Sequence, residues 1–305
     1  MASEPANGIE IEYETFGDGG APPLLLVMGL GAQMTAWDDE LCQLLVDRGF
    51  FVIRFDNRDV GLSTKIEGAA ALDVPTAIGK ALAGQPVEEA PYLLTDMADD
   101  AFGLLDALGI EQAHVVGASM GGMIAQTMAI TRPERVATLT SIMSTTGDRE
   151  VGTATPEAMA VLLTRPPGNR AEYVANAVQT TKLLHGDVLA FDEARAAERA
   201  GAFYDRSFYP VGAGRQLVAI LASGDRTDAL AEVRVPTLVI HGEADPLVSH
   251  SGGVATAKAV PEAELLSIEG MGHDLPMEKW DEVVDAIAAH AAKAPIAARP
   301  EPAAR

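Results

Sequence analysis

Gly117-Ala118-Ser119-Met120-Gly121 reads G-x-S-x-G, and its surroundings decide how the chain folds. Ahead of it runs Ala113-His114-Val115-Val116, short, apolar and β-branched, the pattern of a buried strand. Behind it Gly122 to Ile130 is rich in helix formers and is closed by Pro133. The serine therefore sits on a sharp turn from strand to helix. Such a turn forces its residue towards unfavourable backbone space, and glycines at 117 and 121 remove side chains that would collide with the tightly turned chain. The hydroxyl is lifted above the sheet edge, with the N–H groups of a helix N-terminus behind it, ready to receive a developing negative charge. A serine in a glycine-rich turn can carry the same letters, so the rest of the chain must decide between the two readings.

Working outward, strand and helix patterns alternate. Ile9 to Glu14 alternates apolar and acidic residues, as a half-exposed strand does. Leu24-Leu25-Leu26-Val27-Met28 is continuously apolar, which fits a strand covered on both faces, and it ends in Gly29-Leu30-Gly31. Trp37, Leu41, Leu44 and Leu45 mark one face of a helix that stops at Gly49; Phe50 to Phe55 is the next strand. Ile66 to Tyr92 reads as an insertion over the mouth of the sheet, with a short helix at Thr76 to Leu82. Asp96 to Leu108 is a helix, and Val136 to Met143 follows the central turn as a strand. From Thr145 to Asp228 the alternation is lost. Helical stretches at Pro156–Leu163, Ala171–Leu184 and Asp192–Phe203, broken by Arg165-Pro166-Pro167-Gly168, predict a small helical cap. Alternation resumes with strands at Thr237–Ile240 and Glu264–Ile268 and helices at Gly253–Val260 and Trp280–His290. The predicted division is a core of residues 1–144 and 229–292, a cap of 145–228, and a disordered Ala/Pro-rich tail of 293–305. Alternation of this kind predicts a mostly parallel sheet with helices on both faces, whose ligands sit beyond the carboxyl ends of the strands.

Composition narrows the partners. With 48% apolar and 22% charged residues, 305 residues can bury a large core. A net charge of −22 repels nucleic acid and anionic membranes. Cys42, the single cysteine, excludes an internal disulfide and falls in an apolar helical pattern, as a buried thiol does. Met1 to Gly8 has neither a basic nor an apolar leader segment, and no run approaches a membrane span, so a soluble, cytoplasmic protein is expected. The sequence leaves the oligomeric state open.

A serine hydroxyl needs a base, and the base needs a group to orient it. Asp245 lies in the loop after the strand ending Val239-Ile240-His241-Gly242; His273 lies after the next, in Glu269-Gly270-Met271-Gly272-His273. Ser119, Asp245 and His273 thus occur in that order, each beyond a strand's carboxyl end, which is the order of the α/β-hydrolase triad. From about Ile9 to His290 the chain resembles the α/β-hydrolases, which implies their mostly parallel twisted sheet flanked by helices with a helical cap inserted after the sixth strand. Within that superfamily it resembles bacterial esterases such as aclacinomycin methylesterase. The residues that carry this likeness are Met28-Gly29 in place of His-Gly after the third strand, the Arg58-Asp59-Val60-Gly61 loop, and the Ser119-Met120-Gly121 elbow. Asp56 to Ser63 resembles the family's D-x-R-G-x-G-x-S stretch, with Asp59 where glycine is usual. The resemblance implies oxyanion donors at the N–H groups of Met120 and Leu30, with Asp56 and Arg58 bracing the latter's loop as an ion pair. It implies a cofactor-free serine hydrolase of small to medium neutral or apolar carboxylic esters. A perhydrolase of the haloperoxidase type, a carbon–carbon bond hydrolase and a ligand receptor on the same fold are its rivals.

Other residues compete for roles. Asp148 is the alternative acid. His241, beside Asp245, and His114, at the far end of its strand, read as structural; His185, in the cap, reads as solvated, with the pocket lining as its alternative; His250 and His290 read as exposed on peripheral helices. No set of histidines and carboxylates has zinc-ligand spacing, and Gly29-Leu30-Gly31 lacks the later glycine of a dinucleotide fingerprint. The aromatics Phe203, Tyr204, Phe208 and Tyr209 are the candidate substrate-binding cluster.

Overall fold

The computed structural model describes residues 1–67, 73–164 and 166–296. Among these residues eight strands form one sheet, in the order β1-β2-β4-β3-β5-β6-β7-β8. β1 (Ala2–Ala6) and β2 (Ile9–Phe16) are antiparallel to each other, and β2 is antiparallel to β4 (Phe51–Phe55). From β4 onward all pairs are parallel, through β3 (Pro23–Val27), β5 (Ala113–Ala118), β6 (Val136–Ile142), β7 (Thr237–Gly242) and β8 (Glu264–Ile268). The alternation of strands and helices predicted this parallel sheet; β1 it did not. Its signal is Asn7-Gly8, a two-residue hairpin turn with φ of 49° and 80°, the residue pair such turns favour.

Strand residues alternate between two cores. Leu25, Val27, Ile53, Val115 and Leu139 face α3 (Leu94–Ala107) and α4 (Met120–Thr131). Leu24, Leu26, Val52, Val116 and Ile240 face α1 (Asp39–Asp47) and α11 (Trp280–Ala291). Cys42 is fully buried in the second core. Trp37, predicted on the α1 face, precedes that helix and closes a 3₁₀ turn at Met34–Ala36.

β3 is flanked by β4 on one side and β5 on the other, so the chain reverses its direction of travel across the sheet there. A crevice opens at such a reversal. Val27 pairs with Gly117 at its edge, which lays the loop after β3 beside the turn after β5.

The short helix α2 (Val74–Leu82) precedes α3, and the remaining helices lie later in the chain. After β6 come α5 (Pro156–Leu163), α6 (Arg170–His185), α7 (Glu193–Arg206), α8 (Pro210–Ser223) and α9 (Thr227–Leu230). α10 (Ser251–Ala259) joins β7 to β8. α8 was not foreseen, although Pro210 at its first position and Gly224 just past its end, at φ 65°, are ordinary helix boundaries. Residues 68–72 of the predicted insertion, Arg165 of the predicted break, and 297–305 of the predicted tail lie outside the described residues.

His290 and His250 correct the sequence reading. His290 is 2% exposed, with Nε2 3.0 Å from the Pro236 carbonyl, because the buried face of α11 crosses the start of β7. His250 is half-buried, its Nε2 2.7 Å from Ser267 Oγ. His114 is buried 2.9 Å from Thr138 Oγ1, and burial pushes its pKa down to about 4.

Candidate active site

Ser119 follows the last residue of β5 and has φ 56° and ψ −120°, a strained conformation for a residue with a side chain. The crowding explains the neighbouring glycines. A Cβ on Gly117 would run into the Gly121 carbonyl, and one on Gly121 into the Val27 carbonyl. The turn is held from below by Ser119 N–H, which donates to the Ile142 carbonyl at 2.9 Å.

His273 Nε2 lies 3.0 Å from Ser119 Oγ, and its Nδ1 lies 2.7 Å from Asp245 Oδ2. A carboxylate can only accept, so Nδ1 carries the proton and Nε2 offers its lone pair to the serine hydroxyl. Asp245 is itself fixed: Leu247 N–H and Val248 N–H each donate to Oδ1 at 2.8 Å. Burial by itself raises this carboxyl's pKa, but His273, His241 and the Val248 N–H outweigh it and hold the group at about 2. His241 lies 3.4 Å from Asp245 Oδ2 and its Nε2 donates to the Val248 carbonyl at 2.7 Å, closing the loop on itself. The His273 loop is tied to α6, since His273 N–H donates to the Leu184 carbonyl at 2.7 Å.

Around Ser119 the backbone donors divide into used and free. Gly122 and Met123 N–H donate to the Ser119 carbonyl, and Gly31 N–H donates to Gln216 Oε1 at 2.8 Å. The N–H groups of Met120, at the first turn of α4, and Leu30, after β3, have no acceptor among the described residues. A Cβ on Gly29 would stand 3.7 Å from Ser119 Oγ, so this loop reaches the serine.

Asp56 and Arg58 do not pair with each other. Asp56 is fully buried, 2.8 Å from Arg206 of α7, and accepts from Met34 and Leu62 N–H at 2.7 and 2.8 Å. Arg58 makes a bidentate pair with Asp100 of α3 at 2.6 and 2.7 Å. Both lie in the loop beyond β4, where strand alternation no longer sets direction, and the chain turns one towards α7 and the other towards α3. Asp59, at the position where glycine is usual, has φ 69°. Its buried carboxylate lies 2.9 Å from Arg215 of α8 and accepts from Tyr92 OH at 2.7 Å.

Ser119 and His273 open into a cavity of about 1410 Å³ between the strand-end loops and α5 to α8. Most of its wall is apolar, including Met123, Met143, Met159, Leu162, Leu221 and Trp280. Of the four aromatics, Phe203 lines it, as do Ala196, Arg199 and Ala200 on the same face of α7. Tyr204 is one residue round the helix and faces away. It stacks on Phe208 with ring centres 4.7 Å apart and on Tyr173 at 5.3 Å. Tyr209 OH accepts from Arg215 at 3.1 Å. His185 is buried rather than solvated, because the end of α6 packs on the His273 loop; it and Asp274 line the cavity, with Nδ1 and Oδ2 2.6 Å apart. Asp148 lines it too and accepts from Glu150 N–H at 2.9 Å. Gln216, Asn57 and Arg206 were missed by the sequence reading; nothing in the spacing of those residues marks them, because their partners lie far off in the chain.

Among the described residues no three His, Cys, Asp or Glu side chains are grouped to hold a metal ion, and no helix is long and apolar enough to cross a membrane.

A strained serine thus lies beside an imidazole and a carboxylate, and the class of the enzyme follows from its relatives. Residues 22–279 match the alpha/beta hydrolase fold family. The chain belongs to that family, as an enzyme of the carboxylic ester hydrolase class. It is 30% identical to rhodomycin D methylesterase DauP of Streptomyces sp. (strain C5), over 93% of this chain and 95% of that one. It is 29% identical to rhodomycin D methylesterase DnrP of Streptomyces peucetius, with the same coverage of 93% and 95%. Among solved structures it resembles the meta-cleavage product hydrolase CumD of Pseudomonas fluorescens, at a TM-score of 0.73 and 21% identity, covering 97% of this chain and 98% of that one.

Proposed function

We propose that the enzyme cleaves carboxylic esters of neutral, largely apolar substrates through a Ser119–His273–Asp245 triad. The single observation that carries this reading is the unbroken chain from Ser119 Oγ through His273 (3.0 Å) to Asp245 (2.7 Å). His273 takes the serine proton as Oγ attacks the ester carbonyl, and Asp245 stabilises the imidazolium. The N–H groups of Leu30 and Met120 receive the oxyanion. His273 then returns the proton to the departing alcohol, and an acyl-enzyme remains. Water, deprotonated by the same imidazole, releases the acid. No cofactor takes part in this scheme.

The helices of residues 145–228 act as the cap. A cavity of about 1410 Å³ exceeds the roughly 300–1,000 Å³ of an ordinary small-molecule site, which supports esters of medium size or larger, with the apolar walls favouring neutral groups. Methyl esters belong in the first trial, since two similar enzymes are named as methylesterases.

The test is kcat/KM across p-nitrophenyl esters of increasing acyl length and methyl esters of bulky acids, with Ser119→Ala as control. Loss of on the order of 10⁴-fold or more in Ser119→Ala is expected. Undiminished hydrolysis by that variant, or turnover confined to a vinylogous diketone substrate, would falsify the reading.

A further inference from the structure

The loop after β3 contains three successive peptide units that are tied down unequally. The Met28–Gly29 unit is held by its carbonyl, which accepts from Asn57 Nδ2 at 2.9 Å. The Leu30–Gly31 unit is held by its N–H, which donates to Gln216 Oε1 at 2.8 Å. Between them lies the Gly29–Leu30 unit. Its carbonyl accepts from Ala32 N–H at 3.3 Å, which closes a turn, and its own N–H has no acceptor among the described residues.

Gln216 is fully buried and uses both ends of its amide. Its Nε2 donates to the Arg58 carbonyl at 2.8 Å, so one side chain of α8 joins the loop after β3 to the loop after β4. The start of α8 is seated firmly enough to serve as an anchor. Gly212 lies so close to the Asp59 backbone that a Cβ would collide with its carbonyl, and Arg215 pairs with Asp59 at 2.9 Å. Asn57, 2% exposed, grips the same loop from the β4 side.

A short glycine-rich loop with a free N–H has no reason of its own to keep that N–H aimed at one point. Peptide units rotate as rigid planes, so pinning the planes on both sides fixes the one between. Donors that need no reorganisation as charge develops are the effective ones.

We propose that Gln216 and Asn57 are positioning residues, which hold the Leu30 N–H on the oxygen of the tetrahedral adduct. This rests on the reading of Ser119 and Leu30 given above. Neither residue touches substrate; both act through the peptide they fix.

The experiment is steady-state kinetics on p-nitrophenyl butyrate with Gln216→Met, which keeps length and removes both hydrogen bonds, and with Gln216→Glu, which keeps an acceptor for Gly31 N–H. Affinity for an aryl trifluoromethyl ketone, which forms an oxyanion adduct with the serine, is measured alongside. Gln216→Met is expected to lose about 10- to 100-fold in kcat, less than the full removal of a donor, with KM within about threefold. Ketone affinity should fall in parallel, and Gln216→Glu should lose less than Gln216→Met. Asn57→Ala supplies the same readouts if Gln216→Met does not fold. Unchanged kcat and ketone affinity, whatever the melting temperature, overturn the proposal while leaving Ser119 as nucleophile. Full activity in Ser119→Ala overturns both.

Discussion

Asp245→Asn tests the electrostatics of the site most directly. The two oxygens of Asp245 have different partners: Oδ1 accepts from Leu247 and Val248 N–H at 2.8 Å each, and Oδ2 faces His273 Nδ1 at 2.7 Å. In the variant the amide oxygen must take the Oδ1 position. Turned the other way, its NH₂ would face two backbone donors and leave both unsatisfied, at about 1–3 kcal/mol each. The NH₂ group therefore points at His273 and makes Nδ1 the acceptor. The proton moves to Nε2, the nitrogen that must be bare for the proposed transfer from Ser119. The same change of tautomer in a Ser-His-Asp protease costs about 10⁴-fold in kcat, which is about 5 kcal/mol of transition-state stabilisation. A loss of that order is expected here. The assay is kcat on a p-nitrophenyl ester near neutral pH, with far-UV circular dichroism to check the fold. The reasoning fails if Asp245→Asn stays within about tenfold of the parent, or if Asp148→Asn is the crippled variant instead.

Asp245 also links stability to pH. Its native pKa of about 2 lies below the ordinary 3.8, so its stabilisation is complete above the ordinary value and is lost as pH falls through the native one; acid unfolding curves of Asp245→Asn should be flatter between those limits. Burial pushes the Cys42 thiol up to about 12, so iodoacetamide at pH 8 should leave it unlabelled in the native protein and alkylate it once urea unfolds the chain. Asp59→Ala leaves buried Arg215 and Tyr92 without their shared carboxylate. That should cost about 3–5 kcal/mol and lower the melting temperature by on the order of 10 °C; an unchanged Tm would remove Asp59 from the list of supports. Phe203→Ala, at the cavity wall, should shift the acyl-length optimum by about a carbon or two, whereas Tyr204→Ala and Phe208→Ala should lower Tm with an unchanged profile.

Local pattern was enough for much of this molecule. The β-branched run before Ser119, the glycines on either side of it, and Asp245 and His273 beyond successive strands are each short-range signals, and a parallel sheet brings all strand ends to one edge. Asn7-Gly8, at the β1–β2 turn, and Pro210, at the start of α8, are signals of the same local kind. Other features have no local signature. Asp56 and Arg58 are two residues apart, which made an ion pair between them plausible, yet each finds its partner on a different helix, at Arg206 and Asp100. Phe203 and Tyr204 are neighbours in sequence, but a helix turns about 100° per residue and sends one to the cavity and the other into the Tyr173–Phe208 cluster. Gln216 meets Gly31 across 185 residues of chain. Sequence determined that Ser119, Asp245 and His273 stand beyond strand ends on one edge of the sheet, because strand, turn and helix are fixed by neighbours. Tertiary structure decided which side chains hold them in place, because a buried polar group bonds to whatever packing brings within reach.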